Sequence, residues 1–329
     1  MRRTGVCDTC RRSWPRIRRG VATLRAELAH SAGMTKTATL PAPLMFPLLS
    51  AALVVCWSSG FVGIRFATEA APVLAVLFWR SLVSGVVLLP FALMLGPRMS
   101  GRAVAEQALF GFLGMFVYLG GFAIGIAYRV PTGLVALMAD LVPLAIAVLS
   151  QPMLGQRLTR REWIGTAIGI AGVILVSADV LRIGDAPLFA YLLPVAGMLS
   201  FGFTTVLQRR MAKTQIAIHQ SLSLQCLSAA LFFGLCAPFA GSIAPPLTVG
   251  FAFGIGWLVL LATFGGWGVY YLCLRFYAPA RVSSVIYLSP PVTMIWAWAM
   301  FDEPLSVTMF IGLGVSLFGV YLAASKRSA

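Results

Sequence analysis

The composition of this 329-residue chain excludes a soluble globular protein, because 59% of its residues are hydrophobic and only 11% are charged. Soluble domains have about 45–50% apolar and about 25% charged residues. The formal net charge of +15 would suit a nucleic-acid-binding protein, but the basic residues lie mostly in one terminal segment and in short links between apolar stretches. We therefore predict an all-α integral membrane protein whose partners are the lipid bilayer and a small molecule, and not a nucleic acid.

Residues 1–43 are predicted to form a basic, disordered N-terminal tail. The segment has no long apolar run followed by a cleavage site, so no secretory signal is predicted in it. Two explanations remain open for its first part: a true tail, or a translation start that lies at Met34. Cys7 and Cys10 form a lone CxxC pair, which is half of a zinc site, and no metal site is predicted. The nine basic residues of the segment are Arg2, Arg3, Arg11, Arg12, Arg16, Arg18, Arg19, Arg25 and Lys36.

Ten apolar spans follow the tail, and each is close to the about 20 residues that a helix needs to cross a bilayer. The links between them are short, so consecutive helices are expected to be antiparallel neighbours. Residues 325–329 are expected to form a C-terminal tail. The predicted spans are 44–65, 72–95, 104–127, 131–150, 161–178, 186–208, 219–240, 250–275, 279–300 and 305–324.

Basic residues are distributed unevenly between the two sets of links. The side of a membrane whose links carry more Lys and Arg usually faces the cytoplasm. Three such residues, Arg65, Arg129 and Arg182, lie on one side, whereas twelve lie on the other. Both termini are therefore predicted to be cytoplasmic. The twelve are Arg98, Arg102, Arg157, Arg160, Arg161, Arg209, Arg210, Lys213, Arg275, Arg281, Lys326 and Arg327.

The chain repeats itself after 147 residues. Residues 131–175 align without a gap on residues 278–322, and each copy has a proline within its first span, a polar turn and spaced glycines. We interpret this as an internal duplication, with repeats at 44–178 and 186–324. Five spans in each copy is an odd number, so the second copy is expected to be inverted, with a binding site near the midplane between the halves. The matched pairs are Pro143 and Pro290, Leu158 and Leu305, Ile164 and Ile311, Gly165 and Gly312, and Gly172 and Gly319.

Several short motifs lie in the predicted spans or at their ends. They are Trp57-Ser58-Ser59-x-Phe61, Phe78-Trp79-Arg80, Pro143, Gly155-x-Arg157-Leu158-Thr159, Gly165, Gly172 and Phe301-x-Glu303-x-Leu305. Through them, residues 44–324 resemble the EamA type of the drug/metabolite transporter superfamily. The resemblance implies two five-helix repeats and secondary transport, outward and coupled to protons. The first copy departs from the family pattern at Gln156, where the family has Glu, which leaves open any role for a carboxylate at this turn.

Two charged residues, Arg80 and Asp140, lie well inside predicted spans, where a charge costs about 2.5–3.5 kcal/mol on insertion scales. Counted from the outer ends of their helices, they lie about eight and about nine residues deep, at similar heights. Their side chains are therefore able to pair. Two interpretations remain open: a structural ion pair between helices, or a proton-linked Asp140 that is neutral in one state and ionised in another.

Trp57, Tyr118 and Tyr287 are the aromatic residues most expected to line a binding cavity, because they lie inside spans and not at their interfacial ends. Tyr287 holds in the second copy the position that Asp140 holds in the first. A site with one acidic and one aromatic wall is predicted from this correspondence. Gln225 stays outside this main set, although it can face the cavity.

Pro143, Pro290 and Pro291 lie inside predicted spans, where a proline removes a backbone hydrogen bond. They are predicted to be hinges for alternating access or, equally, static kinks. Glycines at four-residue spacing, such as Gly165 and Gly169, are interpreted as positions of close helix contact.

The charged and aromatic residues inside the spans, together with the family resemblance, favour a secondary active transporter. It would move small metabolites or drug-like molecules across the inner membrane. The chain has no GxxxxGK[ST] loop for ATP, and no cofactor is expected. A non-transporting membrane sensor or scaffold is the alternative, and an enzyme is disfavoured because HExxH and GxSxG motifs are missing, so no catalytic residue is assigned. Asp140 favours a cationic or zwitterionic cargo, whereas Arg80 could equally receive a carboxylate. A homodimer stays open, since glycine-rich faces pack within a chain or between chains.

Overall fold

The computed structural model describes residues 42–155, 159–183, 186–211, 216–277, 282 and 285–324. These residues form helices and no strand, and Leu49–Ala329 is one packed unit. Three predictions fall outside the described residues. They concern the N-terminal tail with Cys7 and Cys10, of which only residues 42 and 43 are described, the turn at Gln156 and the C-terminal tail at 325–329. The α-helices are α1 (Ala42–Ala70), α2 (Val73–Met94), α3 (Gly101–Gly111), α4 (Tyr118–Ala127), α5 (Thr132–Ala139), α6 (Val142–Leu154), α7 (Arg160–Ile183), α8 (Leu188–Met211), α9 (Ile218–Cys236), α10 (Val249–Trp257), α11 (Gly266–Phe276), α12 (Ser289–Phe301) and α13 (Val307–Ala324).

Seven helices in the described parts of the chain are long and apolar enough to cross a membrane, and a further apolar helix, Val307–Leu322, is shorter. The chain is therefore a multi-pass, helical membrane protein, as predicted. Helices α7 and α12 lie over two more of the predicted spans, while the count of ten and the inversion of the second repeat stay predictions. The seven are Met45–Ala70, Val73–Met94, Gly101–Ala127, Thr132–Leu154, Leu188–Met211, Ile218–Phe239 and Val249–Tyr270.

Helices α5 and α6 are two halves of one predicted span, interrupted at Asp140 and Leu141. Pro143 explains the interruption, because it has no N–H to offer the carbonyl of Ala139 and its ring would clash with that carbonyl. The chain tightens instead, with the N–H of Leu141 donating to the carbonyl of Met138 at 3.2 Å. The span is therefore a broken helix and not a continuous helix bent at its proline.

The same interruption recurs 147 residues later, just before α12. The N–H of Leu288 donates to the carbonyl of Val285 at 3.0 Å, and Leu288 has nearly the backbone angles of Leu141 (φ −82°, ψ −6° against φ −80°, ψ −4°). The helix ends also correspond, since Gly155 (φ 70°) after α6 and Asp302 (φ 54°) after α12 are both left-handed. The duplication thus extends to the irregular backbone of both copies.

A π-helix interrupts the third and the eighth predicted spans at corresponding places, Phe112–Val117 in one and Leu258–Gly265 in the other. Such widened turns inside α-helices are rare, and they are frequent at functional sites. Gly114 and Met115 of the first segment line the same cavity as Asp140 and Tyr287, and Thr263 of the second accepts a hydrogen bond from Arg80.

Helices α7 and α13 pack through glycines. A Cβ placed on Gly172 would lie 2.6 Å from the carbonyl oxygen of Gly312 and 2.5 Å from the backbone nitrogen of Ser316. Gly169 and Gly319 face each other in the same contact. Small residues allow two backbones to approach this closely in a membrane, where packing replaces the hydrophobic effect as the driving force. The interpretation of Gly169 as a packing position is confirmed.

The half-helix α5 lies in the interior, and all eight of its residues are buried. It packs on α12, where a Cβ on Gly133 would overlap the side chain of Met294. Polar residues stand at its two ends, Thr132 at the start and Asp140 directly after the last residue. A buried helix of eight residues thus has a polar residue at each end.

Candidate functional site

A cavity of about 600 Å³ lies where the two helix interruptions meet. Asp140 and Pro143 line it from the first copy, and Tyr287 lines it from the second. Its volume falls within the range of about 300–1,000 Å³ that is common for small-molecule sites. Irregular backbone at membrane depth is tolerated where it lines a cavity, as in this protein. The other lining residues are Trp57, Gly114, Met115, Tyr118, Ala139, Val142, Ile146, Phe201, Thr204, Thr205, Gln208, Arg209, Ile218, Ser221, Leu222, Gln225, Trp267, Tyr270 and Ile286.

Asp140 brings a carboxylate to this cavity in a buried position. The residue is 6% exposed, and no group that the structure describes donates a hydrogen bond to its Oδ2. It precedes the first turn of α6, whose free N–H groups and dipole favour an anion. A buried carboxylate without a partner is costly. The arrangement therefore suits a residue that takes up a proton or binds a cationic group.

Arg80 does not pair with Asp140. No carboxylate among the described residues lies within 4.0 Å of its guanidinium, although the residue is only 7% exposed. Its Nε donates to the hydroxyl of Thr263 at 3.4 Å. The predicted ion pair between helices is thus absent, because equal depth along two helices fixes the heights of two side chains and not the directions in which they point.

The three predicted aromatic residues, Trp57, Tyr118 and Tyr287, all line the cavity. The ring of Trp57 lies 5.6 Å from that of Trp267 between centroids, and the ring of Tyr118 lies 4.5 Å from that of Phe201. No pattern in the sequence marks Phe201, since one more aromatic residue in an apolar span has no distinguishing periodicity. Together these aromatic rings form one wall of the cavity that also contains the carboxylate of Asp140. Aromatic faces of this kind suit an apolar or cationic group.

Amide and hydroxyl groups line the part of the cavity near the start of α9. The Nε2 of Gln225 donates to Gln107 Oε1 at 2.7 Å and to Ser221 Oγ at 3.0 Å, and Ser221 Oγ also donates to Gln107 at 2.6 Å. The exposed residues Arg209 and Ile218 belong to the same part of the lining. The cavity is therefore open at this end of the helices.

The opposite end of α5 is closed by a polar group of residues, which we call the Glu303 cluster (Arg65, Glu69, Arg129, Thr132 and Glu303). Glu303 accepts a hydrogen bond from the N–H of Thr132 at 2.7 Å and another from its hydroxyl at 2.5 Å. Arg65 Nε lies 3.8 Å from Glu303, and its Nη1 donates to Glu69 at 2.7 Å. Arg129 lies 4.0 Å from Glu69. Because Thr132 begins α5, Glu303 satisfies an N–H that the helix leaves free and faces the positive end of its dipole.

Glu303 lies between α12 and α13, outside the spans, and its environment acts on its charge in two directions. Burial raises the pKa of Glu303, while the hydrogen bonds from Thr132 and the charge of Arg65 offset part of that rise. The sequence marks Glu303 only as part of a repeated motif. Its partner is 171 residues away along the chain, so the one available signal is a carboxylate in a link between apolar spans.

The EamA-like transporter family matches this chain at residues 45–178 and again at residues 188–325. The chain belongs to the EamA-like transporter family. Two EamA repeats in one chain confirm the resemblance to drug/metabolite transporters that the sequence motifs indicated. The family is one of membrane transporters and not of enzymes.

Relatives of this EamA-type chain are named as transporters. The uncharacterized inner membrane transporter YedA of Escherichia coli K12 is 29% identical over 84% of this chain and 90% of its own length. A probable terminal-alkyne amino-acid exporter of Streptantibioticus cattleyicolor is 27% identical over 82% of this chain and 90% of its own. A probable amino-acid metabolite efflux pump of Escherichia coli K12 is 24% identical over 84% and 93%, respectively.

A solved crystal structure resembles this EamA-type chain in fold. The two agree with a TM-score of 0.59 over 84% of this chain and 96% of the other, at 19% sequence identity. At that identity the likeness concerns the fold alone. It shows that the helical arrangement described above occurs in another protein of nearly the same extent.

The three prolines predicted as hinges or kinks begin half-helices in this EamA-type transporter. Pro143 lies in the first turn of α6, and Pro290 and Pro291 lie in the first turn of α12. Proline fits this position, because the first turn has no intrahelical partner for its N–H. The prolines thus mark the edges of the two interruptions, and their role as hinges or static kinks stays a prediction.

The part of the chain that the structure describes contains no candidate metal site. No three or more His, Cys, Asp or Glu side chains are grouped there so that they could hold a metal ion. What the cavity offers is recognition of an organic molecule through one carboxylate, several amides and hydroxyls, and aromatic faces.

Proposed function

We propose that this protein is a secondary transporter that exports a small organic metabolite across the inner membrane by alternating access. One observation carries the proposal: the cavity around Asp140 is open at one end of the helices, and the Glu303 cluster closes the other end. An alternating-access transporter needs a one-sided cavity of this kind near the midplane, at discontinuous helices.

We assign the open end of the cavity to the cytoplasm. Arg209, at the cavity mouth, belongs to the twelve basic residues predicted to lie on the cytoplasmic side, whereas Arg65 and Arg129, at the closed end, belong to the three on the other side. The protein is then inward-facing, in the conformation that accepts a metabolite from the cell. Export requires that the Glu303 cluster opens while the cytoplasmic mouth closes.

Helix α5 connects the two ends of this pathway. Thr132 at its start is held by Glu303, and Asp140 follows its end, about 12 Å further along the axis. The interruption at Asp140 and Leu141 separates α5 from α6, so the half-helix is able to shift as a rigid body.

When a proton or a cationic cargo neutralises Asp140, the cost of burying its charge disappears. This change at one end of α5 biases the contact of Thr132 with Glu303 at the other end, which is our proposal for proton or cargo coupling.

The cargo that this cavity suits best carries an ammonium group. Asp140 has no hydrogen-bond donor for its Oδ2 among the described residues, and aromatic faces that favour cations surround it. Two relatives are named as exporters of amino acids or their metabolites. These observations support a metabolite of the amino-acid type as the exported molecule.

Untargeted profiling of the growth medium tests the function and identifies the cargo in the same experiment. Cells that produce the wild type, Asp140→Asn or Asp302→Asn are compared with empty-vector cells at matched expression. Asp302→Asn is the control, because it removes an exposed carboxylate from a left-handed position that asparagine tolerates. We expect at least one compound to accumulate outside with the wild type and the control, and not with Asp140→Asn.

Two results would overturn parts of this proposal. If no compound distinguishes the wild type from the empty vector, the protein is not an exporter, and a non-transporting sensor or scaffold becomes the better account. If Asp140→Asn accumulates the same compounds as the wild type, export stands and the role of Asp140 is refuted.

A further inference from the structure

A second buried charge, Arg80, has no part in the transport mechanism described so far. The residue is 7% exposed, and its one hydrogen bond among the described residues is the 3.4 Å contact of Nε with Thr263. A guanidinium has five N–H donors, and a buried charge without a counter-charge is strongly unfavourable. No carboxylate of the described residues lies within 4.0 Å to compensate it. The surroundings of Arg80 therefore suit an anionic ligand.

Two small cavities of about 70 Å³ and about 30 Å³ border Arg80. A cavity of about 10–15 Å³ on this scale holds one water molecule. The larger one thus has room for a carboxylate group. Both share Tyr118 and Trp267 with the 600 Å³ cavity that contains Asp140. A molecule bound in the large cavity can therefore extend one group past these rings towards Arg80.

The larger of these small cavities runs towards the closed end of the protein. Its lining reaches from Trp57 to Ile64 on α1 and from Tyr118 to Ile126 on α4, which are distances of about 10 Å and about 12 Å along the helices. Ile64 directly precedes Arg65 of the Glu303 cluster. Arg80 thus borders the passage that leads from the large cavity towards the closed end, at about the depth of Asp140.

We propose that Arg80 is an anion subsite on the exit path, where it receives the carboxylate group of the exported molecule. The inference rests on the proposed function and deepens it, because it names the cargo class: a zwitterion whose ammonium group meets Asp140 and whose carboxylate group meets Arg80. Arg80 also acts as a filter. An organic cation without a carboxylate meets an uncompensated positive charge on its way out and is rejected.

The test compares the medium of cells that produce the wild type, Arg80→Gln, Arg80→Lys or Arg98→Gln at matched expression. Arg98→Gln removes the same charge from an exposed link. Mass spectrometry sorts each accumulated compound by whether it carries an amine, a carboxylate or both.

We expect compounds with both groups to accumulate with the wild type and with Arg98→Gln. Arg80→Gln should lower their accumulation at least about tenfold, since a charged hydrogen bond is lost, and should release amines that lack a carboxylate. Arg80→Lys should restore part of the zwitterion export.

The possible outcomes separate this inference from the proposed function. If the wild type accumulates nothing, export itself fails, and the subsite falls with it. If the wild type accumulates compounds without a carboxylate, or if Arg80→Gln exports zwitterions as the wild type does, the subsite is refuted and export stands. If purified Arg80→Gln melts well below the wild type and exports no compound of any class, Arg80 is a structural residue and the subsite is refuted.

Discussion

Two carboxylates lie at the two ends of α5, and they differ in the partners that the protein gives them. Glu303, at the start of the helix, accepts two hydrogen bonds from Thr132 and lies 3.8 Å from Arg65. Asp140, at the other end, is 6% exposed, and its Oδ2 accepts no hydrogen bond from any group that the structure describes. Both carboxylates lie at the start of a helix, Glu303 at α5 and Asp140 just before α6, so the helix dipoles do not distinguish them and the difference lies in their hydrogen bonds.

This difference separates a carboxylate that holds the structure from one that is free to react. The interactions of Glu303 are already used to hold α5 against the link between α12 and α13. The carboxylate of Asp140 still has its interactions to offer, to a proton or to a cationic cargo. Burial alone does not identify a functional charge; what matters is whether the surrounding protein has already compensated it.

The largest effect is expected when the compensated carboxylate is removed. Glu303→Ala leaves the N–H and hydroxyl of Thr132 without an acceptor, which costs about 1–3 kcal/mol in the closed conformation and should open the outer end. A cysteine introduced as Ala123→Cys, at a buried position in the cavity beside Arg80, reports on this opening. In a background free of other cysteines, a membrane-impermeant thiol reagent added outside should label it roughly tenfold faster.

Glu69→Ala is the control for this variant. It removes a carboxylate of the same cluster whose side chain is 47% exposed, and exposed ion pairs contribute about 0–1 kcal/mol. Its labelling rate should stay close to that of the wild type. Equal rates for Glu303→Ala and the wild type would show that Glu303 does not hold the outer end closed.

A smaller effect is expected from Thr132→Val, which removes the hydroxyl donor and keeps the backbone N–H that Glu303 also accepts. The loss of one hydrogen bond, worth about 0.5–1.5 kcal/mol, should speed the labelling of Ala123→Cys a few-fold. Thr68→Val is the matched control, because the hydroxyl of Thr68 donates only within its own helix, to Arg65. A rate for Thr132→Val as high as that for Glu303→Ala would mean that the N–H contact contributes nothing.

The uncompensated carboxylate should behave differently when it is neutralised. Asp140→Asn removes a buried carboxylate whose Oδ2 accepts no hydrogen bond from any described group, so the melting temperature in detergent should stay the same or rise by a few degrees. Asp302→Asn serves as the exposed control and should leave the melting temperature unchanged. A fall of several degrees for Asp140→Asn alone would reveal a structural partner and would remove the contrast between the two carboxylates.

The smallest expected effect is a pH dependence of the outer end. Burial raises the pKa of Glu303 in the closed conformation, whereas an opened, hydrated carboxyl returns to its ordinary value of about 4.3. The closed form therefore holds a proton more readily, and acidification from pH about 7 to about 5 should favour closure. Arg65 faces Glu303 directly, and Glu69 and Arg129 lie one contact further away.

Labelling of Ala123→Cys, divided by that of the fully exposed Leu247→Cys, should fall over this pH range. The ratio removes the pH dependence of the reagent itself. Glu303→Gln should abolish the pH effect, because an amide does not titrate. Faster labelling on acidification would show that protonation releases the cluster, which is the opposite of the expected direction.

Much of the broken-helix arrangement is predictable from the sequence, because its causes are local and repeated. Pro143 and Pro290 remove specific hydrogen bonds, and the shift of 147 residues places Tyr287 opposite Asp140. The backbone of Asp302 is less predictable, since its left-handed conformation corresponds to a glycine in the first copy and an aspartate gives a weaker signal.

The partners of the charged residues could not be predicted. The contact of Thr132 with Glu303 joins residues 171 positions apart, and no periodicity links them. Arg80 and Asp140 have similar depths, which the sequence does indicate, yet the rotation of each helix about its axis decides whether they meet. That rotation depends on packing, such as the approach of α5 to Met294 of α12, and packing is a property of the whole bundle.

The most direct test of the contrast is one export measurement on two isosteric variants, Asp140→Asn and Glu303→Gln. Each replaces a carboxylate with an amide of the same shape. Accumulation of the wild-type compounds in the medium should fall to the empty-vector level with Asp140→Asn. It should stay within a few-fold of the wild type with Glu303→Gln, because the amide oxygen still accepts from Thr132. Equal loss with both variants, or full export by Asp140→Asn, would contradict the account.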